Sequence, residues 1–553
     1  MRKIVWTCWL QGRDSAPELV KRCIDSWEQM NPEWEIRCLD AESVSRYIDL
    51  DDHIDLSVQT ITAASLSDII RILLLNEYGG VWVDATLYCN QPLDDWLPQV
   101  AGEGFFAFYR PDHSLASWFL MAAPGNPLVA KWTARVLQYW RDRRRSEDYF
   151  WFHHQFGELC GIDPAAAAIW SRVPKIGAAD LHVIQRRGMN SRAEDSAGQI
   201  DWSLPVFKLV HRVDDSVYVP GTLLHLLLNR LPQRAPDTNK PPVIEHEARV
   251  ASLKVSTENL GDHIQIIASD RLLRRIGLTP EVRIDRDDEI ATSPALRDLS
   301  HPLGIVLNGW FKTNPTEWPP HPRLVPVYIG FHIRLFRSPT LVSHEALDCY
   351  RRFGPIGCRD PYTQTLLQSH GVDAFLSHCL SLTFSRRVED PEQQTEIFVV
   401  SRDERILELL RPSLGDYHFL SQYSGSRDFA LNMVEAFELL QEYRSRAKLI
   451  VTTMLHCALP AIAMGIPVIV IYPPNDGEKH QSDRERFSSI AQLVRVYQQD
   501  EVGEIDWNGH TVDVGAIKLS IIDRFVEMAA SWGRSQGRAV GPIAPPHELP
   551  ARR

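Results

Sequence analysis

The clearest periodic pattern of apolar and polar positions lies between residues 66 and 92. Apolar side chains recur there at the spacing of one helix face, at Leu66, Ile69, Ile70, Leu73 and Leu74. Gly79-Gly80 follows, and glycine is the residue that most readily ends a helix. Val81-Trp82-Val83 then has the composition of a short buried strand. The stretch therefore predicts a helix, a stop and a strand, in that order.

The predicted strand leads directly into Asp84, Ala85 and Thr86. A carboxylate at the C-terminal end of a strand in an α/β sheet lies where ligands usually bind. The same residue could instead cap the next turn, and both interpretations stay open at this point. Asp68 and Arg71 stand three residues apart on another face of the helix. They can therefore pair with each other or contact a ligand.

The run SDIIRILLLNEYGGVWVDAT resembles the core signature of DXD-type sugar transferases, particularly the glycosyltransferases of capsular polysaccharide synthesis. The resemblance implies that Asp84 holds a divalent metal, Mn²⁺ or Mg²⁺, against the diphosphate of a nucleotide sugar. It also implies that Asp68 positions the nucleotide sugar, with Arg71 as its ion-pair partner or as a diphosphate ligand. Thr86 stands where the motif has its second Asp, so Asp84 is the only carboxylate of the motif.

The N-terminal residues predict a strand at 4–6, a helix at 17–30 and a strand at 34–39, which is a βαβ unit of a parallel sheet. The opening IVWTCWLQG also resembles the start of the capsular-type enzymes, where the loop after the first strand lines the nucleotide site. Trp9 would stack on a base there, or it belongs to the core. His211 is a candidate metal ligand, because imidazole suits manganese-type ions beside a carboxylate. Lys208 would face a phosphate, although both positions equally suit surface residues.

Composition narrows the class of protein. A net charge of -12 argues against a general nucleic-acid binder and provides no polybasic membrane anchor. The nine cysteines form no CxxC pair, as expected for reduced thiols. Prolines and a glycine interrupt the apolar run 449–472, which therefore predicts a buried β-α-β unit and no transmembrane segment. With no signal-peptide-like run at the N-terminus, we expect a cytoplasmic protein, with peripheral attachment at the inner membrane as the alternative.

A chain of 553 residues exceeds the size of a single core, so two or more domains are expected. We predict an α/β fold with a GT-A-like nucleotide-sugar transferase domain at 1–231, a proline-rich linker at 232–248, a second domain at 249–532 and a disordered tail at 533–553. Strands alternate with helices in the second domain, which predicts a GT-B-like pair of Rossmann-like halves facing a cleft. Gly261, at the start of an amphipathic helix, would let backbone N–H groups approach an anionic donor.

Three segments of the second domain resemble the polysaccharide pyruvyltransferase family: NLGDHIQ, GCRDPYTQTLLQSHGVDAFLSHCLSLTF and LIVTTMLHCALPAIAMGIPV. That family transfers an enolpyruvyl unit from phosphoenolpyruvate onto two sugar hydroxyls and so forms a ketal. The resemblance implies that Arg359 binds the anionic groups of the donor, a task that suits its planar fork. It implies that His456 is the general acid or base, since imidazole titrates near neutrality.

The family's arginine two residues before that histidine is Met454 in this chain. Lys479, His480, Arg484 and Arg486, in a charge-rich loop that could equally be solvated, are candidate replacements. Of these, Lys479 and Arg484 would also bind the donor. Two alternatives stay open for the second domain: a module that binds a glycan or nucleotide sugar without pyruvylating it, or a second glycosyltransferase. A third concerns the whole protein, in which both domains are degenerate and the chain is an assembly scaffold. The fusion of two such domains predicts that both act on one growing glycan, with a glycan or lipid-linked saccharide as the acceptor.

Overall fold

The computed structural model describes residues 2–55, 59–110, 114–141, 143–211, 218–231, 248–297, 299, 301–311, 318–334, 338–401, 405–473 and 485–532. The chain forms two units, Met1–Lys240 with Ser385–Gln394, and Pro241–Phe384 with Thr395–Arg553. Most of the predicted linker and the whole predicted tail lie outside the described residues. Within the described ranges, no helix has the length and apolar character needed to cross a membrane.

The assignment of Ser385–Gln394 to the first unit was not predicted, because the sequence suggested one continuous second domain at 249–532. This short segment belongs to the first unit, where the Arg386 backbone N–H donates to Glu77 Oε2 over 2.6 Å. The side chain of Arg386 also lies against Gly125, a glycine with positive φ. This hydrogen bond and this packing contact, which short-range sequence patterns do not indicate, connect the segment to the first unit.

The first unit is built on a five-stranded sheet in the order β2-β1-β3-β6-β5 and a two-stranded sheet of β4 and β7. The strands are β1 (Ile4–Cys8), β2 (Glu35–Leu39), β3 (Gly80–Val83), β4 (Leu87–Cys89), β5 (Phe105–Tyr109), β6 (Leu115–Ala122) and β7 (Val206–Lys208). The helices are α1 (Glu18–Met30), α2 (Ala41–Tyr47), α3 (Ala63–Tyr78), α4 (Leu93–Val100), α5 (Pro127–Arg141), α6 (Trp151–Ile162), α7 (Pro164–Arg172), α8 (Val183–Arg187), α9 (Ala193–Ser196) and α10 (Leu223–Leu228).

The predicted helix-stop-strand stretch is confirmed as α3, Gly79 and β3. The hydroxyl of Thr62 caps α3 by accepting from the Ser65 backbone N–H. Gly79 and Gly80 have φ of 67° and 98°, and a Cβ on Gly80 would lie 2.5 Å from Ile4 Cγ2. Only glycine allows the chain to turn from α3 straight into the buried β3 at this point. The predicted βαβ unit is also present, since β1 pairs with β2 in parallel. The expected parallel sheet is instead mixed, because β6 pairs antiparallel with both β3 and β5.

The second unit contains two parallel sheets, in the orders β13-β12-β11-β10-β8-β9 and β15-β14-β16-β17-β18. Its strands are β8 (Val250–Lys254), β9 (Pro280–Asp285), β10 (Leu303–Trp310), β11 (Leu324–His332), β12 (Ile356–Cys358), β13 (Ala374–Leu376), β14 (Glu396–Val400), β15 (His418–Leu420), β16 (Ala447–Thr452), β17 (Val468–Ile471) and β18 (Val496–Tyr497). Its helices are α11 (Leu260–Arg275), α12 (Ser338–Leu341), α13 (His344–Phe353), α14 (Pro361–Ser369), α15 (Arg405–Leu410), α16 (Phe429–Arg446), α17 (Leu455–Ala463) and α18 (Gly515–Ala529).

The apolar run 449–472 is the buried β-α-β unit that the sequence predicted. It comprises most of β16, then α17, and then β17, and β16 pairs with β17 in parallel. Every residue of α17 and β17 is buried. Strands that are covered on both faces read as nearly continuous apolar runs. The length of this run therefore reflects burial inside the protein.

Candidate functional site

The carboxylate of Asp84 lies at the C-terminal end of β3 and contacts two cationic side chains. Arg71 Nη2 lies 3.2 Å from Asp84 Oδ1, and Lys208 Nζ lies 3.0 Å from Asp84 Oδ2. The indole N–H of Trp82 donates to Oδ1 over 3.2 Å. The side chain therefore points to these donors and does not cap the following turn. The nearby pair predicted from spacing is also present, with Arg71 Nη1 2.9 Å from Asp68 Oδ1.

The two carboxyl groups near Arg71 have very different pKa values. Burial alone would raise the pKa of Asp84, but Lys208 and Arg71 lower it to about 2. Burial raises the pKa of Asp68 to about 7, and the opposing charge of Arg71 only partly offsets that effect. Asp84 therefore stays ionised across the physiological range, whereas Asp68 titrates near neutrality.

Lys208 reaches Asp84 because β7 pairs antiparallel with β4, which places Lys208 opposite Leu87. Its ammonium also donates to the hydroxyl of Thr86 over 2.6 Å. Thr86, which replaces the second Asp of the motif, thus helps to position a cation. Trp9 is only half-buried, and its ring meets the ring of His211 edge-on at 5.2 Å. The structure brings Asp84, Asp68, Arg71 and Lys208 together, and it pairs Trp9 with His211.

The predicted metal site fits poorly with this arrangement. Divalent cations such as Mg²⁺ and Mn²⁺ need several oxygen or imidazole ligands. Among the residues that the structure describes, no group of three or more His, Cys, Asp or Glu side chains is placed to hold a metal ion. Asp84 already has a cation on each carboxylate oxygen. A metal would have to displace them, so we derive no step through a metal.

A second polar cluster lies in the second unit, at the ends of parallel strands. His332 is the last residue of β11, and Arg359 directly follows β12, its neighbour in the sheet. Gln422 comes just after β15 in the other sheet, and His456 lies in the first turn of α17, after β16. Loops at the carboxyl ends of parallel strands are the usual ligand-binding positions of α/β sheets.

The guanidinium of Arg359 is fully buried, with 0% of the residue exposed to solvent. Its Nε, Nη1 and Nη2 atoms have no hydrogen-bond partner within the described ranges. Burial lowers the pKa of Arg359 to about 10, despite the nearby carboxylate of Asp360. A buried cation without hydrogen bonds is costly, and the cost is recovered when an anion supplies the missing acceptors. Arg359 is therefore the strongest indication of an anionic ligand in this unit.

His456 and Gly261 lie side by side in this cluster. A Cβ on Gly261 would lie 3.0 Å from His456 Cβ and 2.8 Å from Gln422 Nε2, so glycine is needed for this close approach. His456 Nδ1 contacts Gln265 Nε2 at 3.4 Å, and His456 Nε2 has no described partner. Gln422 is fully buried, and neither atom of its amide group has a hydrogen-bond partner among the described residues. Arg359, His456 and Gln422 thus all present polar atoms without a hydrogen-bond partner among the described residues.

The surroundings of His456 contain several arginines, although Met454 replaces the arginine that the family has at that position. Burial lowers the pKa of His456 well below its usual value, and Arg359, Arg486 and Arg286 lower it further. Met454 is the N-cap residue of α17, and its backbone N–H donates to Thr452 Oγ1. Lys479, His480 and Arg484, three of the predicted replacements for the family's arginine, lie outside the described residues. Arg486, the fourth, is described and contributes positive charge near His456. Arg286 was not predicted, and its guanidinium pairs with Asp262 and Asp287.

Sequence reasoning missed Gln265, Gln422 and His332. Glycine inside a strand pattern usually signals an irregularity or the end of the strand, and Gly330 stands two residues before His332. The strand continues to His332, and Phe331 pairs with Gly309 after an irregularity in the ladder. Gly309 and Gly330 both have positive φ, which accommodates this irregularity. His332 and Gln422 lie at or just after the end of a strand, where polar side chains often contact ligands.

Comparison with known proteins separates the chain into two family segments. Residues 1–226 match the family model described as capsular polysaccharide synthesis protein. Residues 259–475 match the model described as polysaccharide pyruvyl transferase. Both resemblances predicted from the sequence are confirmed. We refer to residues 1–226 as the capsular segment and to residues 259–475 as the pyruvyl segment.

Curated relatives of the chain include fungal glycosyltransferases. The O-glycosyltransferase braB of Annulohypoxylon truncatum is 28% identical over 159 residues, which are 25% of this chain and 38% of that protein. The glycosyltransferase afumC of Aspergillus fumigatus is 33% identical over 101 residues, which are 16% and 26% of the two chains. The chain thus spans less than half the length of these relatives. A solved structure entitled PaToxG glycosyltransferase has 14% identity and a TM-score of 0.22, covering 41% of this chain and 87% of that one.

Proposed function

We propose that the capsular segment transfers a sugar from a nucleotide sugar to a glycan or lipid-linked saccharide acceptor. The observation that carries this proposal is the fixed group of Asp84, Arg71 and Lys208 at the carboxyl end of β3. Two cations held at one carboxylate offer positive charge to the departing diphosphate, which is the largest charge that develops in such a transfer. The predicted GT-A-like fold of this unit and its peripheral association with a membrane are part of the same proposal.

The pairing of Asp84 with two cations predicts that this activity persists without a divalent metal. We expect sugar release from a panel of UDP- and GDP-sugars to change less than about threefold in excess EDTA. Arg71 and Lys208 already provide the positive charge that stabilises the departing diphosphate. A magnesium-dependent kinase assayed in the same buffer serves as the control for chelation. Loss of activity that returns with Mn²⁺ or Mg²⁺ would contradict this prediction and support the metal that the sequence resemblance implies.

We propose that the pyruvyl segment binds phosphoenolpyruvate and transfers its pyruvyl unit to two hydroxyls of a glycan as a ketal. The main observation behind this proposal concerns Arg359. This residue is buried, and its three guanidinium nitrogens have no hydrogen-bond partner in the described part of the chain. Phosphoenolpyruvate carries a phosphate and a carboxylate, and a guanidinium fork binds either group bidentately. Arg486 adds positive charge near His456, which supports donor binding even with Met454 at the position of the family's arginine.

The start of α11 supports the same proposal. This helix of 16 residues begins at Leu260, and Asn259 caps it by accepting from the Gly261 backbone N–H. Helix N-termini favour anions because of the helix dipole. His456 adds a polar ring nitrogen beside this terminus. The pair of parallel sheets in this unit further supports the GT-B-like arrangement that we propose for it.

Replacing Gly261 by alanine should disturb this donor site more than the fold. The new methyl group would push the amide of Gln422 and crowd His456. Overpacking of this kind costs about 1–3 kcal/mol, so we expect phosphoenolpyruvate affinity to fall about 5- to 150-fold. Isothermal titration calorimetry measures the affinity, and Gly415→Ala is the matched control, since a Cβ there meets no atom within 4 Å. Equal affinity in both variants would remove Gly261 from the site.

The direct test of the second proposal is binding of phosphoenolpyruvate to the full chain, followed by phosphate release with glycosides that carry neighbouring hydroxyls. Saturable binding and turnover support pyruvyl transfer. Binding of a nucleotide sugar that excludes phosphoenolpyruvate would favour a second glycosyltransferase or a binding module. The absence of any donor binding would leave a scaffold as the remaining interpretation of this segment.

A further inference from the structure

His332 and Asp360 form a buried pair beside Arg359. His332 Nδ1 lies 2.6 Å from Asp360 Oδ2, and the two side chains are 1% and 0% exposed. The other carboxylate oxygen of Asp360 accepts from the Thr363 backbone N–H over 2.9 Å and from its hydroxyl over 3.0 Å. Asp360 is therefore an acceptor fixed at the N-cap of α14, and it orients the imidazole.

The tautomer of His332 follows from these contacts. A carboxylate accepts hydrogen bonds, so the proton of the neutral ring lies on Nδ1 and the lone pair lies on Nε2. His332 Nε2 has no hydrogen-bond partner in the described part of the chain. Burial and the charge of Arg359 lower the pKa of His332 to about 4, and Asp360 opposes them. At neutral pH the ring is a neutral acceptor whose protonated form Asp360 would stabilise.

His456 presents the opposite chemistry. Gln265 Nε2 lies near two oxygens, Gly261 O at 3.4 Å and Asp262 Oδ1 at 3.3 Å, which identifies this atom as the amide nitrogen. It faces His456 Nδ1, so Nδ1 accepts and the ring proton of His456 lies on Nε2. The charge of Arg359 lowers the pKa of both histidines, which places both rings in the electric field of one guanidinium. One ring thus offers an acceptor, and the other offers a donor.

We propose that His332, oriented by Asp360, is the general base that takes the proton from the acceptor hydroxyl. This inference rests on the pyruvyl transfer proposed above and extends it to a residue that neither the sequence nor the family resemblance indicated. His456, with its proton on Nε2, faces the donor anion. A bound trianion raises the pKa of this ring, so that it takes up a second proton on Nδ1 and becomes an imidazolium. The Gln265 amide then turns its otherwise unpartnered oxygen to Nδ1–H, and the Nε2 proton is the one given to the methylene carbon.

The transfer conserves protons and electrons in the following way. The hydroxyl O–H bond breaks, its proton goes to His332 Nε2, and the oxygen forms a bond to C2 of the enolpyruvyl group. The electron pair of the C=C bond moves to C3, which takes a proton from His456 and becomes a methyl group. Attack of the second hydroxyl then expels phosphate with the C2–O electron pair. The two hydroxyl protons account for the one gained by C3 and the one that leaves with phosphate.

The test compares His332→Asn with wild type in the full chain. Asparagine can keep the hydrogen bond to Asp360 through its amide but has no basic nitrogen. We expect phosphoenolpyruvate affinity, measured by calorimetry, to stay within about threefold, because the donor contacts remain. We expect kcat for phosphate release with a set of methyl hexopyranosides to fall about 10²- to 10⁴-fold, the usual contribution of a general base. The acidic limb of the wild-type pH–rate profile should also disappear.

His370→Asn is the matched control, since this histidine lies at the other end of α14 and contacts Ser369 and Leu366. It should keep the wild-type kcat. If His332→Asn keeps at least a third of the wild-type kcat, or if it loses donor binding together with turnover, His332 is not the base. If the wild-type protein neither binds phosphoenolpyruvate nor releases phosphate with any glycoside, the proposed function itself fails.

Discussion

Arg359→Met is expected to abolish tight binding of phosphoenolpyruvate and at the same time to make the protein more stable. Hydrogen bonds from a charged group contribute about 1.5–3 kcal/mol each, so the affinity should fall at least about 10- to 100-fold. The free energy of unfolding should rise by about 1–3 kcal/mol, because methionine removes a buried cation whose nitrogens have no partner in the described residues. A residue that merely supports the fold would change stability in the opposite direction.

Calorimetric titration and urea unfolding measure the two effects separately. Arg352→Met is the matched control, because Arg352 is exposed at the end of α13 and lies over the ring of Phe353. Its effect on stability should stay within about 0.5 kcal/mol, with no effect on affinity. Loss of stability in Arg359→Met with unchanged affinity would assign Arg359 a structural role.

Asp84→Asn is expected to reduce glycosyl transfer by the capsular segment about 10²- to 10³-fold, the usual cost of removing a charge from a preorganised site. Asparagine leaves Arg71 and Lys208 without the charge that holds both of them at the end of β3. Sugar release or transfer from the nucleotide sugar measures the effect. Asp94→Asn is the control, since Asp94 pairs with Lys3 on the surface, where its side chain is 45% exposed. Equal activity in both variants would exclude Asp84 from the site.

The low pKa of Asp84 also predicts how the free energy of unfolding depends on pH. The folded-state pKa of Asp84 is about 2, below the value of 3.8 for an unperturbed Asp, so its ionised form stabilises the fold above about pH 4. That contribution is lost as the pH falls from about 4 to about 2. It amounts to about 1–2 kcal/mol, allowing for the 27% exposure of the side chain. Urea unfolding between pH 2 and pH 5 should show this dependence in the wild type and a weaker one in Asp84→Asn.

Local sequence patterns predicted the parts of both sites that depend on short spacings. The three-residue spacing of Asp68 and Arg71 indicated that the two side chains could pair, and they do. The apolar strand before Asp84 predicted that this residue lies at the carboxyl end of β3. The parallel sheets also followed from the alternation of strands and helices. These features depend on helix and strand periodicity, which a single sequence displays directly.

Contacts between distant strands could not be predicted in the same way. Lys208 reaches Asp84 only because β7 pairs with β4, more than 100 residues earlier in the chain. His332 was not predicted as a site residue. Gly309 and Gly330 have positive φ, and β11 therefore continues past Gly330, although a glycine often signals the end of a strand. The unpartnered nitrogens of Arg359 depend on which groups surround it after folding. No spacing rule expresses that property.

The central claim is that the pyruvyl segment binds phosphoenolpyruvate through Arg359 and His456. Titration calorimetry of phosphoenolpyruvate into the full chain, beside Arg359→Met and His456→Ala, tests it most directly. Our account predicts saturable binding with a stoichiometry near one, weakened in both variants and unchanged in Arg352→Met. Absence of binding at millimolar phosphoenolpyruvate, or equal binding in all four proteins, would contradict it.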